Sequence, residues 1–200
     1  MDADEFLGVF FDRLEKQFNV HSRRLLSDYF GGRVVHQITS KECQHVTQRE
    51  ENFFVLSLEV KGKRDIIESL NLFIAEDILD GDNKYHCEKC DRKVAASKGC
   101  CVAQLPNTLL IHLKRFDFDV ESFTRMKVND PCGFPLTLDM RPFTKDHLAR
   151  AKDEDLDAES GADTHATTTT ELEGTQPSQG NGDCMYHLVG VVVHSGTAES

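Results

Sequence analysis

Apolar and polar positions alternate most clearly over residues 53–60, Phe-Phe-Val-Leu-Ser-Leu-Glu-Val. Phe54, Leu56, Leu58 and Val60 fall on one side of an extended chain, and Phe53, Val55, Ser57 and Glu59 on the other. That period of two predicts a strand. A period near 3.6 appears twice. Phe6, Phe10, Leu14 and Phe18 recur every fourth residue, predicting a helix over 5–18 behind Asp4, with this stripe as its apolar face. Ile66, Ile67, Leu70 and Phe73 share one face of a helix over 66–73, with Asp65 placed as its N-cap. Residues 23–30 predict a further short helix stopped by Gly31-Gly32. Residues 33–39 alternate weakly and predict a strand, while 40–49 are polar. Residues 77–79 lead into a turn at Asp80-Gly81-Asp82-Asn83.

The longest organised stretch is 85–118. It opens with Cys87-Glu88-Lys89-Cys90, continues as a strand over 99–105, breaks at Pro106-Asn107, and resumes as an apolar strand over 108–116. Residues 117–127 then read as a charged loop. Residues 134–136 and 138–140 form a short extended segment, and residues 184–194 predict a strand interrupted by Gly190. The polar stretch 145–183 carries four consecutive threonines, three basic and ten acidic residues. It has too few apolar side chains to offset the entropy of ordering, so we expect a disordered acidic insertion. The chain starts on a helix and stops soon after a strand, which predicts part of a larger catalytic domain.

Composition narrows the function classes. Hydrophobic residues make up 39% and charged residues 28%, values that suit a packed domain. The net charge of −11 is mostly that of the acidic insertion, and no basic face is visible, which argues against nucleic acid. No apolar run reaches about 18 residues, so no membrane span is expected, and the acidic N-terminus lacks a signal-peptide core. Seven cysteines, an odd count, predict a reducing compartment, cytoplasmic or nuclear.

Cys87 and Cys90 have the two-residue spacing that lets both sulfurs reach one zinc ion. Cys43 is the third thiol available. A cysteine three residues before it would complete the set, but Ser40 stands there, so His45 or His36 is left to supply a nitrogen. A nucleophilic role for Cys100, Cys101, Cys132 or Cys184, with His112, His187 or His194 as base, is disfavoured. None of these cysteines begins a helix, where thiolates are stabilised. His112 and His187 sit in strand patterns and read as hydrogen-bonded sheet residues. His194, at a strand end, and the Lys114-Arg115-Phe116 terminus are better placed to meet an extended peptide.

Four segments, GDNKYHCEKC, LPNTLLIHLKRFDFD, KVND with FPLTLDM, and YHLVGVVVHSGT, resemble in order and spacing the ubiquitin-specific proteases, papain-like deubiquitinating cysteine peptidases. The resemblance covers nearly all of the chain apart from the insertion. It implies an α+β fold with right-hand architecture, of which the chain holds fingers and palm, mostly antiparallel sheet with a few helices. It implies ubiquitin and ubiquitinated proteins as partners. Cys87, Cys90 and Cys43 match positions of the zinc-bearing fingers, and Ser40 departs from that pattern. Arg115, Phe116, Lys127 and His194 match positions lining the cleft for the ubiquitin tail, bordered by loops matching 117–125 and 195–200.

The family's catalytic residues do not match any position here. Its nucleophile lies in an Asn-x-Gly-x-x-Cys-like box placed before Met1, and its catalytic histidine in a Gly-His-Tyr motif placed after Ser200. The expectation is a segment of a ubiquitinyl hydrolase that is inactive by itself. The rival reading is a non-catalytic ubiquitin-binding scaffold.

Overall fold

The computed structural model describes residues 3–43, 45–119, 123–151 and 184–193. Two helices open the chain, α1 (Ala3–Gln17) and α2 (Val20–Phe30). The face that α1 buries differs from the predicted one. Phe6 and Phe10 stack on each other yet remain about half exposed, while Phe11 is buried against Phe30 and Phe54, with ring centroids 5.6 and 4.8 Å away. The i, i+4 stripe therefore overstates one side of the helix. Phe54 comes from the bend after the second strand and gives Phe11 its aromatic partner.

A four-stranded antiparallel sheet follows, built from β1 (Gly32–Ser40), β2 (Val46–Phe53), β4 (Asp77–Leu79) and β7 (Ala96–Gln104). The strands lie in the order β2-β1-β7-β4. β1 is paired on both sides, from Gly32↔Phe53 to Thr39↔Val46 with β2 and from Arg33↔Gln104 to Ser40↔Ala96 with β7. At Gly32 the Phe53 ring lies where a side chain would be, 2.3 Å from a would-be Cβ, so only glycine fits there. β2 is a strand that the sequence pattern does not predict. Its residues 46–52 are exposed on both faces, so no apolar alternation marks it.

The remaining strands are short. β3 (Val55–Glu59) and β8 (Leu110–Lys114) form a parallel pair, Val55↔Leu110 to Glu59↔Lys114. The predicted alternation holds on β3, where Leu56, Leu58 and the following Val60 are all buried. β5 (Tyr85–Cys87) and β6 (Arg92–Val94) close a hairpin whose turn places Asp91 at a φ of 50°. The predicted charged loop is instead a hairpin of β9 (Phe116–Asp119) and β10 (Thr124–Lys127). The strand predicted over 108–116 stops at Lys114, and Arg115 turns the chain into that hairpin.

Helix α3 (Ile66–Ile74) lies under β3 and β7. Asp65 caps it as predicted, its carboxylate accepting from Glu68 N at 2.9 Å. Ile66 and Leu70 enter a core completed by Val34, Leu56, Leu58, Val102, Leu138, Met140 and Phe143. Burying side chains of this size contributes about 1.5–3 kcal/mol each.

β11 (Thr137–Asp139) and β12 (Met185–His187) pair antiparallel, so segments on either side of the predicted insertion are neighbours. Residues 145–151, expected to be disordered, are helical instead, and the rest of the expected insertion, 152–183, lies outside the described residues. The predicted strand over 184–194 shrinks to β12. Val189, Val192 and Val193 beyond it are largely exposed, and His194 lies outside the described residues. Tyr186 packs on the core, and its hydroxyl donates to the Pro106 carbonyl at the turn before β8. That bond ties β12 to the palm. We expect Tyr186→Phe to cost about 0.5–1.5 kcal/mol, the net value of one part-buried hydrogen bond, read as a lower urea midpoint at unchanged slope. An unchanged midpoint would mean that the hydroxyl does not anchor β12.

Candidate functional site

The described residues hold two candidate sites. The first is a cysteine cluster. Strand β1 ends at Ser40, and residues 41–43 turn back so that Cys43 faces the β5–β6 hairpin. Cys87 ends β5, and Cys90 sits in the hairpin turn. The three sulfurs lie within 4.8 Å of one another. Cys87 is fully buried, and its Sγ is 3.6 Å from that of Cys43. Two thiolates on one tetrahedral zinc, with Zn–S near 2.3 Å, stand about 3.8 Å apart, so the donor set and the spacing fit that ion.

Ser40 and His45 complete the surroundings. Ser40 is buried, and its Oγ accepts from Glu42 N and Cys43 N, each at 3.3 Å. The same Oγ is 3.2 Å from Cys43 Sγ. The Ser40 hydroxyl, more than any other neighbour, brings the Cys43 thiol down to about 6. Cys90 goes the other way, up to about 11, chiefly through Cys43 beside it. His45 Nδ1 is 3.5 Å from Cys87 Sγ, but the set that closes within 4.8 Å is Cys43, Cys87 and Cys90, without the histidine. His36 points elsewhere, its Nε2 3.6 Å from Glu51 Oε2 on β2.

The second site is a groove along β8 and the start of the β9–β10 hairpin. Arg115, Phe116 and Lys127 all line it. Register brings Phe116 opposite Lys127. Arg115 Nη1 donates to the carbonyls of Val128 at 3.1 Å and Asp130 at 2.8 Å, and its own carbonyl accepts from Val128 N. The guanidinium therefore clamps the strand after β10 against the end of β8. Sequence reading gives Arg115 a peptide-gripping role and misses this clamp, which depends on a hairpin read from the sequence as a charged loop. Of the four groove positions, three come together, and His194 lies outside the described residues.

Cys100, Cys132, His112 and His187 have surroundings that suit structural roles. Burial pushes the Cys100 thiol up to about 11 and also raises Cys132. Neutral thiols of this kind are poor nucleophiles at pH 7. His112 is nearly buried, its Nδ1 3.2 Å from Ser57 Oγ across the parallel pair, with Asp4 Oδ2 of α1 at 3.9 Å. His187 Nδ1 lies 3.2 Å from Thr137 Oγ1 across β11–β12. Both bear out the sheet reading. No helix among the described residues is long and apolar enough to cross a membrane.

Comparison with known proteins places the chain in a family. The family model described as ubiquitin carboxyl-terminal hydrolase matches residues 1–200. The chain is 35% identical to ubiquitin carboxyl-terminal hydrolase 9Y of Homo sapiens over 98% of its length, and 34% identical to ubiquitin carboxyl-terminal hydrolase 24 of Homo sapiens over 100%. It spans only 8% of each of these relatives. Among solved structures it is similar to the SAGA Ubp8/Sgf11/Sus1/Sgf73 DUB module bound to ubiquitin aldehyde, with a TM-score of 0.64 and 26% identity over 72% of this chain and 33% of that one. A second SAGA DUB module, bound to monoubiquitin, matches with the same score and identity over 72% of this chain and 34% of that one. The α+β fold, with its mostly antiparallel sheets, is the one expected, and the chain belongs to the ubiquitin carboxyl-terminal hydrolase family.

Proposed function

We propose that this chain is the ubiquitin-binding part of a thiol-dependent deubiquitinase, which cleaves the bond after ubiquitin's C-terminal glycine. The observation that carries this reading is the groove where Phe116 and Lys127 face each other across a hairpin braced by Arg115. An extended tail laid along β8 would meet an aromatic face and a cation there. Arg115 serves by fixing the floor: its bonds to Val128 and Asp130 hold both sides of the groove at one spacing. Positioning of this kind lowers the entropic part of a barrier without any contact to the reacting atoms.

The chemical step needs an activated thiolate with a histidine base in hydrogen-bond reach. Cys100 and Cys132 are kept neutral by burial and do not suit it. None of Cys100, Cys101, Cys132 and Cys184 begins a helix, and we assign the reacting cysteine and histidine to parts of the whole protein outside these residues, in the cytoplasm or nucleus. In the whole protein, Phe116→Ala should lower kcat/KM on a fluorogenic ubiquitin amide at least about tenfold, roughly 1.4 kcal/mol of transition-state stabilisation. The melting temperature should hardly move. Unchanged turnover with a large drop in melting temperature would place Phe116 in the core and end this assignment. So would turnover by residues 1–200 alone that is lost on changing Cys100 or Cys132.

Zinc is the second part of the proposal. Cys43, Cys87 and Cys90 would hold it, with His45 the nearest imidazole. The ion would supply structural cross-linking of two turns and no chemistry on the substrate. Metal analysis of protein purified without chelator should give about one zinc per chain, lost in Cys87→Ser. A cooperatively folded, metal-free chain under zinc-replete conditions would overturn this part.

A further inference from the structure

The two halves of the cysteine cluster are joined by the protein itself. Lys41 N donates to Ala95 O at 2.8 Å, and Ala95 N donates to Glu42 Oε1 at 3.2 Å. Arg92 Nη2 pairs with Glu42 Oε2 at 3.0 Å, and Ser40 N closes the turn by donating to His45 O at 2.9 Å. Ser40 also ends the β1–β7 ladder opposite Ala96. Val94 and Ala96, which flank Ala95, are fully buried. Backbone bonds, one ion pair and buried apolar residues thus hold the two turns in place. Small metal domains that unfold without their ion lack such bracing.

The ligand set is also one sulfur short of symmetry. The second half reads Cys87-x-x-Cys90, the first Ser40-x-x-Cys43. Ser40 Oγ occupies the place a fourth sulfur would take in that turn, accepting the Glu42 and Cys43 amides. A neutral alcohol is a weak ligand for a borderline-soft ion that prefers thiolate and imidazole. The same oxygen also accepts from Cys43 Sγ, 3.2 Å away. That makes it a neighbour that orients a ligand, and such neighbours tune metal affinity.

Resting on the zinc reading above, we infer that this finger is an exchangeable zinc site. Three thiolates bind the ion, the fourth position is held only by water or His45, and Ser40 stays beside Cys43 as a hydrogen-bonded neighbour that does not ligate. The ion enters and leaves without unfolding the finger, so occupancy follows the free zinc of the surroundings.

The test compares wild type, Ser40→Cys and Ser40→Ala, each as the 200-residue chain loaded with zinc. Transfer to the chromophoric chelator 4-(2-pyridylazo)resorcinol is timed, the sulfur count is read by zinc X-ray absorption, and the stripped proteins are checked by amide NMR spectra. Wild type should show three sulfurs and release zinc at least about tenfold faster than Ser40→Cys, which should show four. Stripped wild type should keep dispersed amide signals from β1 and β7. Ser40→Ala should still bind zinc through three sulfurs. Equal release rates in wild type and Ser40→Cys, collapse of the stripped finger, or loss of zinc by a folded Ser40→Ala would each overturn the inference while leaving zinc binding intact. Wild type that takes up no zinc would instead sink the zinc reading on which the inference rests.

Discussion

The register of β1 against β7 is the constraint on which the rest of the structure depends. Both strands are nine residues long. At one end they put Val34 and Val102 into the core with Leu56, Leu70 and Met140. At the other end they stop at Ser40↔Ala96, where the cysteine turns begin. A slip of one residue would send every side chain to the opposite face. Val34 would leave its place beside Val102 in the core, and Ser40 would leave the cluster. One set of backbone bonds thus links core packing to the metal-ligand geometry.

The groove depends on a second connection, the parallel pair β3–β8. Parallel strands need both faces covered, and α1, α3 and the Phe11–Phe54 contact provide part of that cover. Because β8 is held from the side by β3, its end at Lys114 is fixed, and Arg115 can reverse the chain into the β9–β10 hairpin. The Arg115 bonds to Val128 and Asp130 lock that reversal. The finger and the groove are therefore positioned by different strand pairs around one shared core.

What can be read from the sequence follows from what is buried. β3, the Asp65-capped helix and the Cys87-Cys90 hairpin are legible because each has a one-sided apolar pattern or a fixed spacing. β2 is not, since a strand with both faces in water carries no alternation. For α1 the stripe points to Phe6 and Phe10, whereas the buried ring is Phe11, because its partner Phe54 is distant in sequence. Ser40 is legible as a departure from a ligand pattern, but its bonds to the Glu42 and Cys43 amides require the fold. The strand after the acidic stretch is overextended in the sequence reading because Leu188, Val189 and Val191–Val193 look like a core strand, yet all are exposed here.

The central claim is that the end of β8 and its hairpin receive ubiquitin's tail. Amide chemical-shift mapping of the isotope-labelled chain during titration with unlabelled ubiquitin tests it most directly. The account predicts saturable shifts at Arg115, Phe116 and Lys127, absent when the ubiquitin used lacks its C-terminal tail residues. Saturable binding that leaves those three amides unmoved, or that is indifferent to the tail, would contradict it.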